Sequence, residues 1–195
     1  MAATIRGILL AAGYSTRFGS NKLLQALPAG AAEAGTPIGV AAARHLLEAL
    51  PESIAVVRPR AQKLGKMLRD AGCNTVVCRN ANEGMGTSLA AGVRATSDAK
   101  GWVIALADMP FIRPETIRIV TKALQEGAAI AAPSFRGERG HPVGFALRFY
   151  EELSSLRGDN GAREFLGQHP EWVKIFEVDD SGVVHDIDKL SDLES

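Results

Sequence analysis

The sequence predicts an α/β protein: a three-layer α/β/α sandwich around a doubly wound, mostly parallel sheet. Three observations carry that prediction. Strand-length apolar runs alternate with helix-length segments over most of the chain. Residues 102–107 form an apolar run of the kind buried on both faces of a parallel sheet. The first apolar run feeds directly into a Gly-rich loop, as expected where a strand's carboxyl end opens onto a ligand crevice.

The elements follow in order. Residues 5–10 read as a strand, and 37–50 as a helix with Pro37 at its start. A short strand at 53–57 precedes a helix at 61–71 that stops at Gly72. Residues 75–77 are strand-like, 87–95 helical, 102–107 a strand, 114–125 a helix closing at Gly127, and 128–132 a strand. Beyond Pro133 the pattern loosens: 135–140 is a charged loop, 143–146 a short strand, 161–166 helical and 173–178 a strand. The small residues of 29–35 predict an exposed, mobile loop. No internal repeat or domain boundary interrupts residues 1–195, so a single domain is expected.

Composition narrows the function. Lys plus Arg equal Asp plus Glu at 22 each, so no general attraction to nucleic acid or an acidic membrane is expected, and any anion site must be local. No apolar run reaches membrane-span length, and residues 1–6 lack a signal-peptide pattern. Cys73 and Cys78 have no Cys/His company, which argues against structural zinc and leaves a disulfide as a minor alternative. A reducing cytoplasm fits best.

The chemistry concentrates in a few segments. After Leu10, Ala11 and Ala12 comes a loop with Gly13, Arg17, Gly19 and Lys22. Backbone amides beside the glycines and two permanent cations suit a triphosphate. The spacing is neither that of a Walker loop nor the G-x-G-x-x-G of dinucleotide sites. Asp108 follows the buried run 102–107, where it suits magnesium or caps the turn into Pro110. Asp186 and Asp188 alternate with apolar residues and on a strand would face the same way; Asp188 could equally cap a last helical turn. Asn80, Gly86, Thr87 and Ser88 lie at a helix start, either as ordinary capping residues or as polar-ligand contacts.

In the order L-x-A-A-G-x-S-x-R-F-G-x-x-K, the first loop resembles the signature of the MobA-like nucleotidyltransferases. Further resemblances follow along the chain: a segment from Asn80 closely similar to N-x-x-x-x-G-M-x-x-S-L-x-x-G but one residue shorter before Gly84, A-D-M-P at Asp108, R-G-x-x-G-H-P-V-x-F from Arg136 and G-D-x-G-A-R ending at Arg163. The D-I-D ending matches at Asp186 and Asp188, although Lys189, Leu190 and Ser191 replace the usual Thr-Pro-Glu. Within the superfamily the chain looks most similar to the molybdenum cofactor cytidylyltransferases.

That resemblance implies a nucleotide-diphospho-sugar-transferase-like fold and transfer of CMP from CTP to the phosphate of molybdopterin, with release of pyrophosphate. It implies Arg17, Lys22 and Asp108 as catalytic residues. Leu10, Ala11, Ala12, Gly13, Lys22, Asn80, Gly86 and Ser88 would bind the nucleotide. His141, Pro142 and Arg163 would bind the acceptor. Magnesium would be held by Asp108 with Asp186, and the partners are CTP, molybdopterin and a recipient molybdoenzyme. His141 fits positioning better than proton abstraction, because an acceptor phosphate is already ionised. Guanylyl-transferring relatives carry Leu-Ala-Gly-Gly, so the methyl of Ala12 would disfavour a purine. The alternatives are a guanylyltransferase, a sugar- or alditol-phosphate nucleotidyltransferase, and a non-catalytic carrier of the cofactor.

Overall fold

Alternation along single strands divides the core into two layers. A computed structural model describes residues 4–13, 21–159, 165–167, 169–188 and 192. One sheet of eight strands runs through it: β1 (Ile5–Ala11), β2 (Ile54–Val57), β3 (Asn74–Val77), β4 (Gly101–Leu106), β5 (Ile130–Phe135), β6 (Glu138–Arg139), β7 (Val143–Ala146) and β8 (Val173–Glu177). The helices are α1 (Ile38–Ala49), α2 (Gln62–Asp70), α3 (Met85–Ala95), α4 (Pro114–Gln125) and α5 (Tyr150–Ser155). In β1 and β4, Leu9, Ala11, Val103 and Ala105 point to one face, while Ile8, Trp102 and Ile104 point to the other. The first face packs against Leu46 of α1, Leu64 of α2 and Val120 of α4. The second packs against Leu89 of α3 and Leu153 of α5. This is the expected three-layer sandwich.

The strand order is β3-β2-β1-β4-β7-β5-β6, with β8 also paired to β5. The β1–β2, β2–β3, β1–β4 and β5–β8 pairs are parallel. The β4–β7, β5–β7 and β5–β6 pairs are antiparallel. Ser134 pairs with both β6 and β8, and Ile130 with both β7 and β8, so β6 and β7 lie on the same side of β5. They are one strand interrupted at residues 140–142, and that interruption matters below.

Element boundaries agree with the sequence reading to within about two residues, except after residue 128. There β5 starts later and runs past Pro133, whose carbonyl still accepts from the Gly140 N–H at 2.9 Å. The expected loop at 135–140 is a hairpin turn: Arg136 and Gly137 have φ of 52° and 81°, the left-handed pair of a two-residue connection. Asn-Gly would have announced that turn; Arg-Gly does not. The loop at 29–35 is exposed only in part and closes on itself through Leu27 N–H to Thr36 O at 2.8 Å and Gly35 N–H to Leu27 O at 3.0 Å. Of the helix expected at 161–166, residues 165–167 are described and helical, with Phe165 and Leu166 buried. Cys73 and Cys78 are both free and buried in opposite core layers, which removes the disulfide alternative. Among the described residues no helix is long and apolar enough to cross a membrane.

Candidate active site

Lys22 is the point where the first and last parts of the described chain meet. It opens a short 3₁₀ turn, Lys22–Leu24, seated by the buried Leu23 against α1. Its Nζ lies 2.8 Å from Asp108 Oδ2, 3.1 Å from Asp188 Oδ1 and 2.8 Å from the carbonyl of Ile187. Burial alone lowers the Lys22 pKa, but hydrogen bonding and charge from Asp108, and then from Asp188, outweigh it and hold the ammonium above its ordinary value. The Ile187 N–H in turn donates to the Asp108 carbonyl at 2.9 Å. Asp108 stands just past the carboxyl end of β4, on the crevice side of the sheet.

The aspartates at 186 and 188 do not share a face. Ser181–Val184 is a 3₁₀ turn and residues 185–188 are irregular, so no strand alternation applies. Asp188 reaches Lys22, whereas Asp186 is exposed and lines a different cavity. The sequence reading put Asp186 beside Asp108 as the metal carboxylate; the residue that shares a cation with Asp108 is Asp188.

Two cavities share Leu106, and Lys22 and Asp108 line the first of them. The first, about 500 Å³, is lined by Leu10, Ala12, Gly13, Lys22, Ser88 and Asp108 among others. Ala11 lies on the opposite face of β1, packed into the α1 layer, because side chains alternate along the strand. Asn80 is exposed; the 3₁₀ turn Ala81–Glu83 brings Asn82 to the cavity instead. Gly86 is buried outside the lining, its N–H donating to the Gly158 carbonyl at 2.9 Å. Gly84, Met85 and Asp159 complete this wall and were missed in the sequence. Gly84 has φ of +127°, and a Cβ there would lie 2.4 Å from Asp159 Oδ1, so only glycine lets the 158–159 turn close on the start of α3. Asp159 was in plain view in the G-D-x-G-A-R run. Arg17 and Arg163, the other cations of the reading, lie outside the described residues.

The second cavity, about 480 Å³, is lined by Met109, Arg139, His141, Leu166, Val184 and Asp186, among others. It sits where the β6–β7 strand breaks. The His141 N–H donates to the Val183 carbonyl at 2.8 Å, which ties the break to the C-terminal segment. Gly140 makes this approach possible, because a Cβ there would lie 2.1 Å from Val183 O. Asp180 anchors the same segment from below. Its buried carboxylate accepts from the Arg113 N–H at 2.9 Å, the Thr116 hydroxyl at 2.6 Å and the Gly182 N–H at 3.1 Å, at the start of α4. Pro142 borders a small void with His45 and Met109 and does not line the second cavity. Burial pushes the His141 imidazole down to about 4, with the charge of Asp108 opposing and that of Arg139 adding to the effect, so the ring is neutral at pH 7. Its Nδ1 is buried without a hydrogen-bond partner among the described residues.

The MobA-like NTP transferase domain model matches residues 7–173. The chain belongs to this family. As a MobA-like protein it is a nucleotidyltransferase. It is 31% identical to the purine catabolism protein PucB of Bacillus subtilis over 202 residues, covering 93% of this chain and 90% of PucB. It is 27% identical to the nicotine blue oxidoreductase of Paenarthrobacter nicotinovorans over 198 residues, covering 97% and 94%. The crystal structure of Rv0371c from Mycobacterium tuberculosis is 28% identical and superposes with a TM-score of 0.80 over 100% of both chains. That protein has also been solved in complex with manganese, and this structure superposes with a TM-score of 0.76 at 24% identity over 100% of both chains.

Proposed function

We propose that this MobA-like chain transfers CMP from CTP to the phosphate of molybdopterin, releasing pyrophosphate. The observation that carries the reading is that two ligand-sized cavities share Leu106, and that the first is lined by Lys22 and Asp108, with Asp188 paired to Lys22. CTP occupies the cavity bounded by β1 and the start of α3, its triphosphate toward Lys22. The acceptor enters from the side of His141, and its phosphate attacks the α-phosphorus in line. Nothing covalent is asked of the protein; it orients two substrates and stabilises charge.

The oxygen set around Lys22 fits a magnesium ion. Two carboxylates and a main-chain carbonyl already hold one cation, the Lys22 ammonium. Among the described residues no three His, Cys, Asp or Glu side chains converge into a ready-made cage. That suits a cation bound by one or two carboxylates plus substrate phosphates. When bound, the ion supplies positive charge to the triphosphate oxygens; Asp108 and Asp188 would hold it. Lys22, relieved of its carboxylates, is then free to pair with phosphate. The manganese complex of Rv0371c supports a divalent ion in this family.

Ala12 supports CTP over a purine nucleotide: its methyl faces the first cavity and narrows it. The deciding experiment is a panel of the four ribonucleoside triphosphates, each with molybdopterin and magnesium, read by pyrophosphate release. CTP is expected to dominate. Dominance of GTP would make the chain a guanylyltransferase, and turnover only with a sugar or alditol phosphate would move it to that branch of the fold.

A further inference from the structure

We propose that Arg139 and Asp186 are the specificity-determining pair of the second cavity. Arg139 takes the acceptor's phosphate, and Asp186 takes adjacent ring N–H donors of a pterin-class heterocycle. The proposal rests on the nucleotidyl-transfer reading above and adds what selects the acceptor.

The Arg139 side chain enters no hydrogen bond or ion pair among the described residues, although it lines a cavity together with the carboxylates of Glu138 and Asp186. The nearby Glu177 carboxylate is committed elsewhere: it accepts from the Ser134 hydroxyl at 2.6 Å and the Arg136 N–H at 2.7 Å, holding the hairpin turn. The guanidinium is thus presented on a braced two-strand ribbon, and its planar fork matches phosphate oxygens.

Asp186 likewise has no hydrogen bond or ion pair among the described residues. Its backbone is fixed on both sides. Val183 O accepts from the His141 N–H, and the Ile187 N–H donates to the Asp108 carbonyl. The next aspartate, Asp188, takes the Lys22 cation, which leaves Asp186 facing the second cavity. His141 lines the same cavity, and its Nδ1 is buried without a partner among the described residues. Two opposite charges without side-chain partners, set around apolar walls of Met109, Leu166 and Val184, describe the complement of a flat ligand with polar edges. A carboxylate accepts two parallel N–H bonds, and a 2-amino-4-oxo heterocycle offers two on one edge. The apolar walls suit its flat faces.

The test uses the full chain with CTP, molybdopterin and magnesium, and in parallel a direct titration with neopterin monophosphate followed by its fluorescence. Asp186→Asn swaps an acceptor for a donor and should raise the molybdopterin KM at least about tenfold. The CTP KM and the magnesium concentration at half-maximal rate should hold. Arg139→Gln should do the same, with partial recovery in Arg139→Lys. Neopterin monophosphate should bind the wild type and weaken by a similar factor in Asp186→Asn and Arg139→Gln. A changed magnesium dependence in Asp186→Asn would make that residue a metal ligand and overturn the proposal. So would an unchanged acceptor KM with transfer intact. Absence of transfer to molybdopterin with every nucleotide defeats the functional reading instead, and Asp186-dependent pterin binding would then still uphold the pair.

Discussion

The first cavity, proposed for the nucleotide, stands mostly on regular structure, and the second, proposed for the acceptor, draws on a strand break and the irregular C-terminal segment. On the first side, Leu10, Ala12, Leu106 and Ser88 are placed by the carboxyl ends of β1 and β4 and by the first turn of α3. On the second, Arg139, His141, Val184 and Asp186 come from a hairpin, a strand break and a segment without repeating geometry. Individual long-range hydrogen bonds tie these segments down, such as the one from the His141 N–H to Val183 O and the one from the Ile187 N–H to Asp108 O. The difference teaches where function can vary cheaply. On the proposed reading, a sheet edge holds the triphosphate chemistry and a set of single tethers holds the part that chooses an acceptor.

The comparison can be broken in several places. The largest effect is expected at the junction. Lys22→Ala removes a cation aimed at developing phosphate charge, worth about 2.7–4 kcal/mol of transition-state stabilisation. kcat should fall by two to three orders of magnitude while the fold, read by circular dichroism, persists. Near-normal turnover at saturating CTP would remove Lys22 from the mechanism.

Next is Asp180, the anchor of the acceptor side. Asp180→Ala strands two donors at the start of α4 and one in the 181–184 turn, and should cost about 1.5–3 kcal/mol in urea unfolding. Because it loosens the segment carrying Val184 and Asp186, the acceptor KM should rise more than the CTP KM. Equal rises would show that the two cavities are not supported separately.

His141 gives a pH test of comparable size. Its pKa falls from 6.5 to about 4 on folding, so the unfolded chain binds a proton below pH 6.5 that the folded chain refuses. Its contribution is fully present above pH 6.5 and is lost as pH drops toward 4, by up to about 3 kcal/mol. The wild-type urea midpoint should decline across that window, and His141→Gln should flatten this part of the decline. An unchanged slope would place the imidazole in water, outside the buried wall.

The smallest expected effect is on base choice. Ala12→Gly removes one methyl group from the nucleotide cavity and should shift the CTP-to-GTP ratio of kcat/KM by about 1–3 kcal/mol toward GTP. A constant ratio would move base reading to Asn82 or Ser88.

What could be read from the chain follows the same division. Periodicity places β1, β4 and α4 closely, because alternation and helical spacing report directly which face is buried. It also delivered Asp108 and Lys22 to one crevice. It failed at Asp186, where a strand was assumed and the chain is irregular, so that Asp188 and not its neighbour meets Lys22. The family resemblance pointed to Asn80, whereas Asn82 lines the cavity, because one 3₁₀ turn decides which amide faces inward. Asp180 carried no motif at all. Two of its three partners are 64 and 67 positions away, a relation no local window contains.

The Lys22–Asp188 contact also has a consequence during synthesis, since its partners lie 166 positions apart. The parallel half of the sheet, β1 to β4, is present in the growing polypeptide well before the closing residues leave the ribosome. At ordinary translation rates the interval between Asp108 and Asp188 is roughly 4–16 s. Through that interval a nascent chain carries the loop cation and one aspartate but lacks the second aspartate and much of the acceptor wall. It therefore lacks the assembled Lys22 cluster, which is completed only when residues 187–188 dock.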